Sequence, residues 1–256
     1  MPENTEENVQ AKNRAATGIL GLDALIEGGF PRARTILVSG SCGTGKSIFG
    51  MQYLYHGLVD HEEPGVFVAF DEMPEKIRED MLKFGWNLKE LEKNNLLVIL
   101  DATSAKAGTA SEEEHALTPG RMDFDNVLLE MLTVCRKMNA KRLVIDSIPA
   151  MGLHTESVNE TRKNILKLAY VLNRTGLTTI MTTEVPESAI GSGTTSLSRY
   201  GIEEYVADGV IVLNFLGIGS SAARSIQIRK MRGTKHDLNV HSMEIREKGI
   251  EVKKLE

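Results

Sequence analysis

The sequence predicts an α/β fold: a mainly parallel sheet with helices on both faces, ending in antiparallel strands. Three observations carry that expectation. From Thr35 to residue 183, short apolar runs rich in β-branched residues alternate with amphipathic helical periods, the pattern of strand–helix–strand units. After residue 205 the strand-like runs follow one another across short gaps, which suits hairpins. No internal repeat and no second hydrophobic core interrupts the pattern, so residues 17–256 are expected as one domain behind a loose polar tail over 1–16.

In chain order the expected buried strands are TILVS (35–39), VFVAF (66–70), LLVIL (96–100), RLVID (142–146) and LTTIMTT (177–183). Helical periods fill the gaps. Ile77, Met81 and Phe84 recur at i, i+4 and i+7 behind Pro74, a residue suited to a first helical turn. Leu128, Met131, Leu132 and Cys135 repeat at i, i+3, i+4 and i+7, as do Ile165, Leu168, Ala169 and Leu172. The closing strands are GVIVLNF (209–215), RSIQIRK (224–230), NVHSMEI (239–245) and IEVKK (250–254). Two polar segments rich in small residues, 102–122 and 187–197, read as mobile loops.

Composition narrows the function classes. The 256 residues carry a formal net charge of −5, which disfavours unspecific binding to nucleic acid. No apolar run is long enough for a membrane span, and MPENTEENVQAKNR lacks the basic-then-apolar order of a secretory signal. A cytoplasmic protein is expected. Cys42 and Cys135 alone make neither a disulfide framework nor a metal cluster.

The chemistry begins at GSCGTGKS, residues 40–47, which fits G-x-x-x-x-G-K-[ST] at every fixed position. A strand precedes it and a helix follows. In such a loop the glycines let successive N–H groups turn towards phosphate oxygens, and the helix N-terminus adds partial positive charge. Gly40, Ser41, Cys42, Gly43, Thr44, Gly45, Lys46, Ser47 and the next residue, Ile48, form the expected nucleotide cradle. Lys46 is expected on the β- and γ-phosphates of ATP and the Ser47 hydroxyl on Mg²⁺. Cys42 reads first as a small filler, although a thiolate there is open to oxidation that would block the loop. Asp146 ends an apolar strand, where open α/β sheets place ligands, and is the second expected Mg²⁺ ligand; elsewhere such a carboxylate caps a turn. Asp71 and Glu72 follow the strand after the P-loop helix. Side-chain alternation would turn one of them to the site as the base for hydrolytic water. The competing reading is a pair of acids favouring the dipole of a helix that starts at Pro74. Sequence does not separate the two acids, though glutamate has the longer reach.

One basic cluster stands out in this acidic chain: Arg229, Lys230, Arg232, Lys235 and His236 within QIRKMRGTKHD (227–237). On a strand Lys230 and Arg232 share a face and Met231 points the other way. The bland reading is a solvated edge that blunts strand pairing, and it suits Arg229 and Lys235.

TGILGLDALIEGGFP (17–31), the P-loop, FDEMP (70–74), FGWNL (84–88), VIDS (144–147), TTE (182–184), SRYGIEEYVADGVIVL (198–213) and KMRGTKH (230–236) occur in the order seen in KaiC-like ATPases, which the chain resembles from residue 17 to its end. That resemblance implies a RecA-type P-loop core, hexameric rings of identical chains with ATP and Mg²⁺ between neighbours, and signalling through a regulatory protein partner. It also implies that Lys230 and Arg232 act across the interface on the neighbour's γ-phosphate, with Met231, Thr234 and His236 near that nucleotide. The chain departs from the family in three places. Asp71–Glu72 stands where two glutamates are usual, Ala33 where glycine is common, and Glu204–Tyr205 where a duplicated member of the family, the cyanobacterial clock protein, carries a phosphorylated hydroxyl pair in its second domain. Ser/Thr autophosphorylation there is not expected. The alternatives are a RecA/RadA-type DNA-binding ATPase and a nucleotide-binding scaffold with negligible turnover. Against the DNA reading, 187–197 has no Lys or Arg, and 102–122 sets Lys106 and Arg121 against three consecutive glutamates.

Overall fold

The structure, a computed structural model, describes residues 13–151, 157–185, 197–216 and 223–254. A two-stranded ribbon, β1 (Arg14–Ala15) and β2 (Phe30–Pro31), precedes a nine-stranded sheet. The sheet strands are β3 (Thr35–Gly40), β4 (Gly65–Ala69), β5 (Leu97–Asp101), β6 (Arg142–Asp146), β7 (Thr178–Glu184), β8 (Gly209–Leu216), β9 (Ala223–Met231), β10 (Val240–Arg246) and β11 (Gly249–Lys253). Their order is β11-β10-β9-β8-β3-β7-β6-β4-β5. Strands β3 to β8 pair in parallel, and β8 to β11 pair antiparallel. This is the expected α/β architecture with its antiparallel C-terminal end.

Alternation along the strands builds two cores. Ile36, Val38 and Phe67 face a layer with Phe49 and Leu54 of α1 (Lys46–His61) and Trp86. Leu37, Val66 and Val68 face the opposite layer, which holds Met131 of α5 (Phe124–Lys137) and Ile165 and Leu168 of α7 (Val158–Leu172). Shorter helices complete the chain: α2 (Pro74–Leu82), α3 (Leu88–Lys93), α4 (Thr103–Lys106), α6 (Ile148–Met151) and α8 (Glu203–Val206). Among the described residues no helix is long and apolar enough to cross a membrane.

Two expectations change. The tail expected over 1–16 is not loose at its end: Ala15 is buried in β1, and Arg14 pairs with Glu27 at 2.5 Å. Residues 1–12 lie outside the described residues, as does almost all of the loop expected over 187–197. Segment 102–122 is not loose. The buried Asp101 carboxylate accepts from Thr103 N and Oγ1, Ser104 N and Ser111 Oγ, and Leu117 and Met122 are buried behind it. The glycine common at position 33 has a backbone reason, because Ala33 sits at φ 56°, where a Cβ is disfavoured.

A buried arginine ties the N-terminal segment to the sheet. Arg142, fully buried at the start of β6, donates to Glu63 (2.6 Å), Ala16 O (2.7 Å) and Tyr53 O (2.8 Å). Its guanidinium also lies 4.4 Å from the centre of the Tyr53 ring. Helix α1 passes over it only because Gly57 has no side chain: a Cβ there would stand 2.3 Å from Arg142 Nε. With three partners holding the guanidinium, it has little room to shift. Gly57→Ala is expected to lower unfolding stability by about 1–3 kcal/mol, as overpacking does, measured by denaturant titration. Unchanged stability would show that Arg142 yields freely.

Candidate functional site

Parallel pairing brings the C-terminal ends of β3, β7, β6 and β4 to one edge of the sheet, where open α/β sheets bind ligands. The P-loop leaves β3 there. Gly40 has no space for a side chain, since a Cβ would meet Leu213 O at 2.6 Å and Thr44 Oγ1 at 2.7 Å. Gly45 caps α1 at φ 101°, a left-handed value that suits glycine. Lys46 Nζ donates to Gly40 O and Ser41 O, both at 2.9 Å, and Thr44 Oγ1 donates to Ser41 O at 2.9 Å. Burial pushes the Lys46 ammonium below its ordinary 10.5, opposed by the charges of Glu184, Asp146 and Asp71. Cys42 is an exposed free thiol.

The expected acids gather at the same edge. Asp146 is half-buried at the end of β6 and accepts from the Thr182 and Ser47 hydroxyls. Burial raises its pKa above the ordinary 3.8, although both hydroxyls and Lys46 oppose the shift. The peptide between Asp146 and Ser147 is cis.

Strand alternation does not separate Asp71 from Glu72, because β4 ends at Ala69 and both acids lie in the bend beyond it. They differ in partners instead. Asp71 accepts from Ser147 Oγ at 2.6 Å and from Lys106 Nζ at 3.2 Å. Glu72 is half-buried; burial raises its pKa above 4.5, helped by the nearby charges of Asp80 and Asp146 and opposed by Lys76.

Ser47 and Asp146 offer a hydroxyl and a carboxylate, the hard oxygen donors that suit Mg²⁺ when phosphates and water complete its shell. Among the described residues no group of three His, Cys, Asp or Glu side chains is set to hold a metal unaided, so the donor set fits a nucleotide-borne cation.

Four residues at this edge were absent from the expected set. Glu184 ends β7 beside Gly40, and its charge holds the Lys46 ammonium up against the effect of burial. Thr182 and Ser147 hold the two aspartates. Arg224, at the start of β9, donates to Gly43 O through Nε (3.3 Å) and Nη2 (3.2 Å) and lies 4.8 Å from the centre of the Phe215 ring. The motif TTE held the signal for Thr182 and Glu184. Arg224 carried none, because the β3–β8 pairing that brings the β8–β9 hairpin to the P-loop is long-range.

The basic cluster lies elsewhere. Lys230 pairs with Val210 and Met231 with Gly209 at the start of β8, while Leu213, further along the same strand, is the residue beside Gly40. At about 3.3 Å per residue, the cations therefore sit at the end of the sheet opposite their own P-loop. Met231 is buried and Arg232 exposed, the alternation expected, although Arg232 lies just past β9. Lys230, Arg232, Thr234 and His236 are tethered. Lys230 Nζ donates to Glu204 O (3.1 Å), Tyr205 O (3.4 Å) and Ala207 O (2.6 Å). Arg232 Nη1 pairs with Asp208 Oδ1 at 3.3 Å, and Thr234 Oγ1 accepts from Arg14 Nη1 at 2.6 Å. His236 turns inward: its Nδ1 lies 3.2 Å from Thr234 O, and its Nε2 is buried with no hydrogen-bond partner among the described residues. A hollow of about 710 Å³ between Cys135, Arg136, Arg174 and Leu177 lies beyond the C-terminal ends of α5 and α7, and none of the expected site residues lines it.

Comparison with known proteins fits this arrangement. The family described as "ATPase: KaiC" matches residues 15–256. The chain belongs to the KaiC ATPase family. A KaiC-like protein from Pyrococcus horikoshii, known by its crystal structure, superposes with a TM-score of 0.80 at 39% identity, over 94% of this chain and 99% of that one. A UPF0273 protein of Aeropyrum pernix is 37% identical over 93% of this chain and 92% of its own length. The circadian clock oscillator protein KaiC of Thermostichus vulcanus is 38% identical over 92% of this chain, which spans only 44% of that longer protein. Family membership implies nucleotide binding.

Asp146 gives a test of the site's electrostatics. Its native pKa is raised, so the folded protein holds this proton more tightly than the unfolded chain does, and ionisation weakens the fold. That loss is absent below the ordinary 3.8, grows as pH climbs to the native value and is complete above it. Without nucleotide or divalent cation, Asp146→Asn should melt above the parent at pH 7, with the gap closing as pH falls towards 4. A lower melting temperature at pH 7 would contradict a desolvated charge at this position.

Proposed function

We propose that the protein is a Mg²⁺-dependent ATP hydrolase that works as a ring of identical chains, six by analogy with its family, with each nucleotide shared between two neighbours. Its ring state would signal to a regulatory protein partner. One observation carries this reading: Lys230 and Arg232 lie at the end of the sheet away from their own P-loop, so they can serve a phosphate only across an interface. Head-to-tail contact of that kind closes into a ring when the rotation allows.

Within one chain, the P-loop amides and Lys46 hold the phosphates, and Ser47 and Asp146 hold the cation. When bound, Mg²⁺ neutralises charge on the β- and γ-oxygens. Glu72 is the base. Its pKa is raised, which strengthens it as a proton acceptor, while Asp71 is occupied by Ser147 and Lys106 and positions rather than deprotonates. The neighbour's Lys230 leaves its carbonyls, and its Arg232, held through Nη1 by Asp208, meets charge developing on the transferred phosphoryl group. Met231, packed inward, sets the face on which they stand. The DNA-motor reading has less support: segment 102–122 is packed rather than free to enclose a strand, and 187–197 has no Lys or Arg.

Mixing two inactive variants tests the shared site. Lys46→Ala and Arg232→Ala should each lose activity, the latter by about 10³-fold or more. Together they should regain turnover at interfaces where an intact P-loop meets an intact Arg232. No rescue in mixed rings confirmed by size would rule out a shared site. For the acids, Glu72→Gln should lower kcat while ATP still binds, and the parent should lose activity on the acid side at a pH above the ordinary glutamate value. If Asp71→Asn is the damaging change and Glu72→Gln is neutral, the two roles are exchanged.

A further inference from the structure

The carboxylate that tethers Arg232 has a second arginine on it. Asp208, buried just before β8, accepts on Oδ1 from Arg34 Nη1 at 3.2 Å and from Arg232 Nη1 at 3.3 Å. Its Oδ2 accepts from Thr35 N at 3.3 Å. The backbone locks the same residue in place: Asp208 N donates to Thr35 O at 2.8 Å, and Asp208 O accepts from Arg232 N at 2.9 Å. Two guanidinium nitrogens on one oxygen are near neighbours whatever the angle between them. Both side chains remain about half exposed, at 50% and 53%. Lys230 stands close by, its ammonium pushed below 10.5 by burial and then by the charge of Arg232.

Three cations thus crowd around one buried carboxylate. A pair of opposite charges would satisfy Asp208, and the remaining positive charge is held together by geometry. In an acidic chain, such a surface suits a polyanion. Arg34 also immediately precedes β3, the strand that ends in the P-loop. One strand therefore places Arg34 at one edge of the sheet and the phosphate cradle at the other.

We propose that Arg34 is a third cation offered to the neighbouring chain's triphosphate, and that Asp208 is the positioning residue that holds Arg34 and Arg232 side by side. This rests on the shared-site reading above. The chemistry is that of Arg232: a planar fork, always charged, matched to phosphate oxygens. A purely structural ion pair joining the starts of β3 and β8 is the competing account, and the two predict different mixing behaviour.

The test uses Arg34→Gln, which keeps a donor for Asp208 but removes the charge, and the full chain throughout. Alone, it should assemble normally and turn ATP over about tenfold more slowly or worse. Mixed with Lys46→Ala, it should recover activity, with about a quarter of interfaces competent if chains mix at random. Asp208→Asn should show the same rescue, because its own P-loop is intact and its defect is delivered to the neighbour. The Arg232→Ala and Lys46→Ala mixture is the reference. If that pair is rescued but Arg34→Gln is fully active, or is inactive without rescue, the proposal is wrong while the shared site stands. If the reference pair is not rescued, both fail. Should Arg34→Gln not fold, Arg34→Lys keeps the ion pair without the planar fork, and the same rescue is required of it; wild-type turnover by Arg34→Lys would leave the fork no role and overturn the proposal.

Discussion

The reversal of strand direction between β8 and β9 sets where the charges of this protein lie. Parallel strands deliver their C-terminal ends to one edge, and β3, β7 and β6 therefore converge with the P-loop, Glu184 and Asp146 together. Strand β9 runs the other way beside β8, so its start brings Arg224 to the P-loop and its end carries Lys230 and Arg232 to the far edge. No rotamer change returns those cations to their own cradle, because several residues of strand intervene. Two half-sites on opposite edges of one sheet complement each other only between copies, which is the physical root of the proposed ring.

Burial sharpens both halves. Lys46 and Asp146 are each partly withdrawn from water, and burial works against the charged form of both. In the proposed reading, a triphosphate answers the first and a divalent cation the second, so the site is poised for both together. At the far edge the same tension appears as cations outnumbering Asp208. The carbonyls and carboxylate that hold Lys230 and Arg232 keep these long side chains in place, and what they hold back is a charge that a neighbour's phosphate can meet.

Much of this was legible in the sequence, for identifiable reasons. The P-loop is readable because its backbone geometry demands glycine at set positions, and Asp146 because a carboxylate ending an apolar run marks a sheet edge. The strands and main helices followed from alternation and from i, i+4 spacing. What escaped reading was set by tertiary contact. Asp71 and Glu72 could not be assigned by alternation, since the strand stops at Ala69 and the bend carries both. Segment 102–122 looked loose by composition, yet Asp101 is buried and gathers its hydroxyls and amides. Arg14 looked like part of a polar tail, but Glu27 and Thr234 hold it. Arg34 and Asp208 are far apart in sequence and ordinary in type, and only the pairing of β3 with β8 brings them together.

The claim that each nucleotide is held by two chains has a direct chemical test, because the P-loop carries its own thiol. Cys42 is exposed and Cys135 is buried, so Arg232→Cys adds one second accessible thiol among the described residues. A short bis-maleimide should then link Arg232→Cys of one chain to Cys42 of the next. The predicted result is a ladder of covalent multimers that ends at the closed ring and vanishes with Cys42→Ser. Rings that assemble but yield only a link within one chain, or no link at all, would contradict the account.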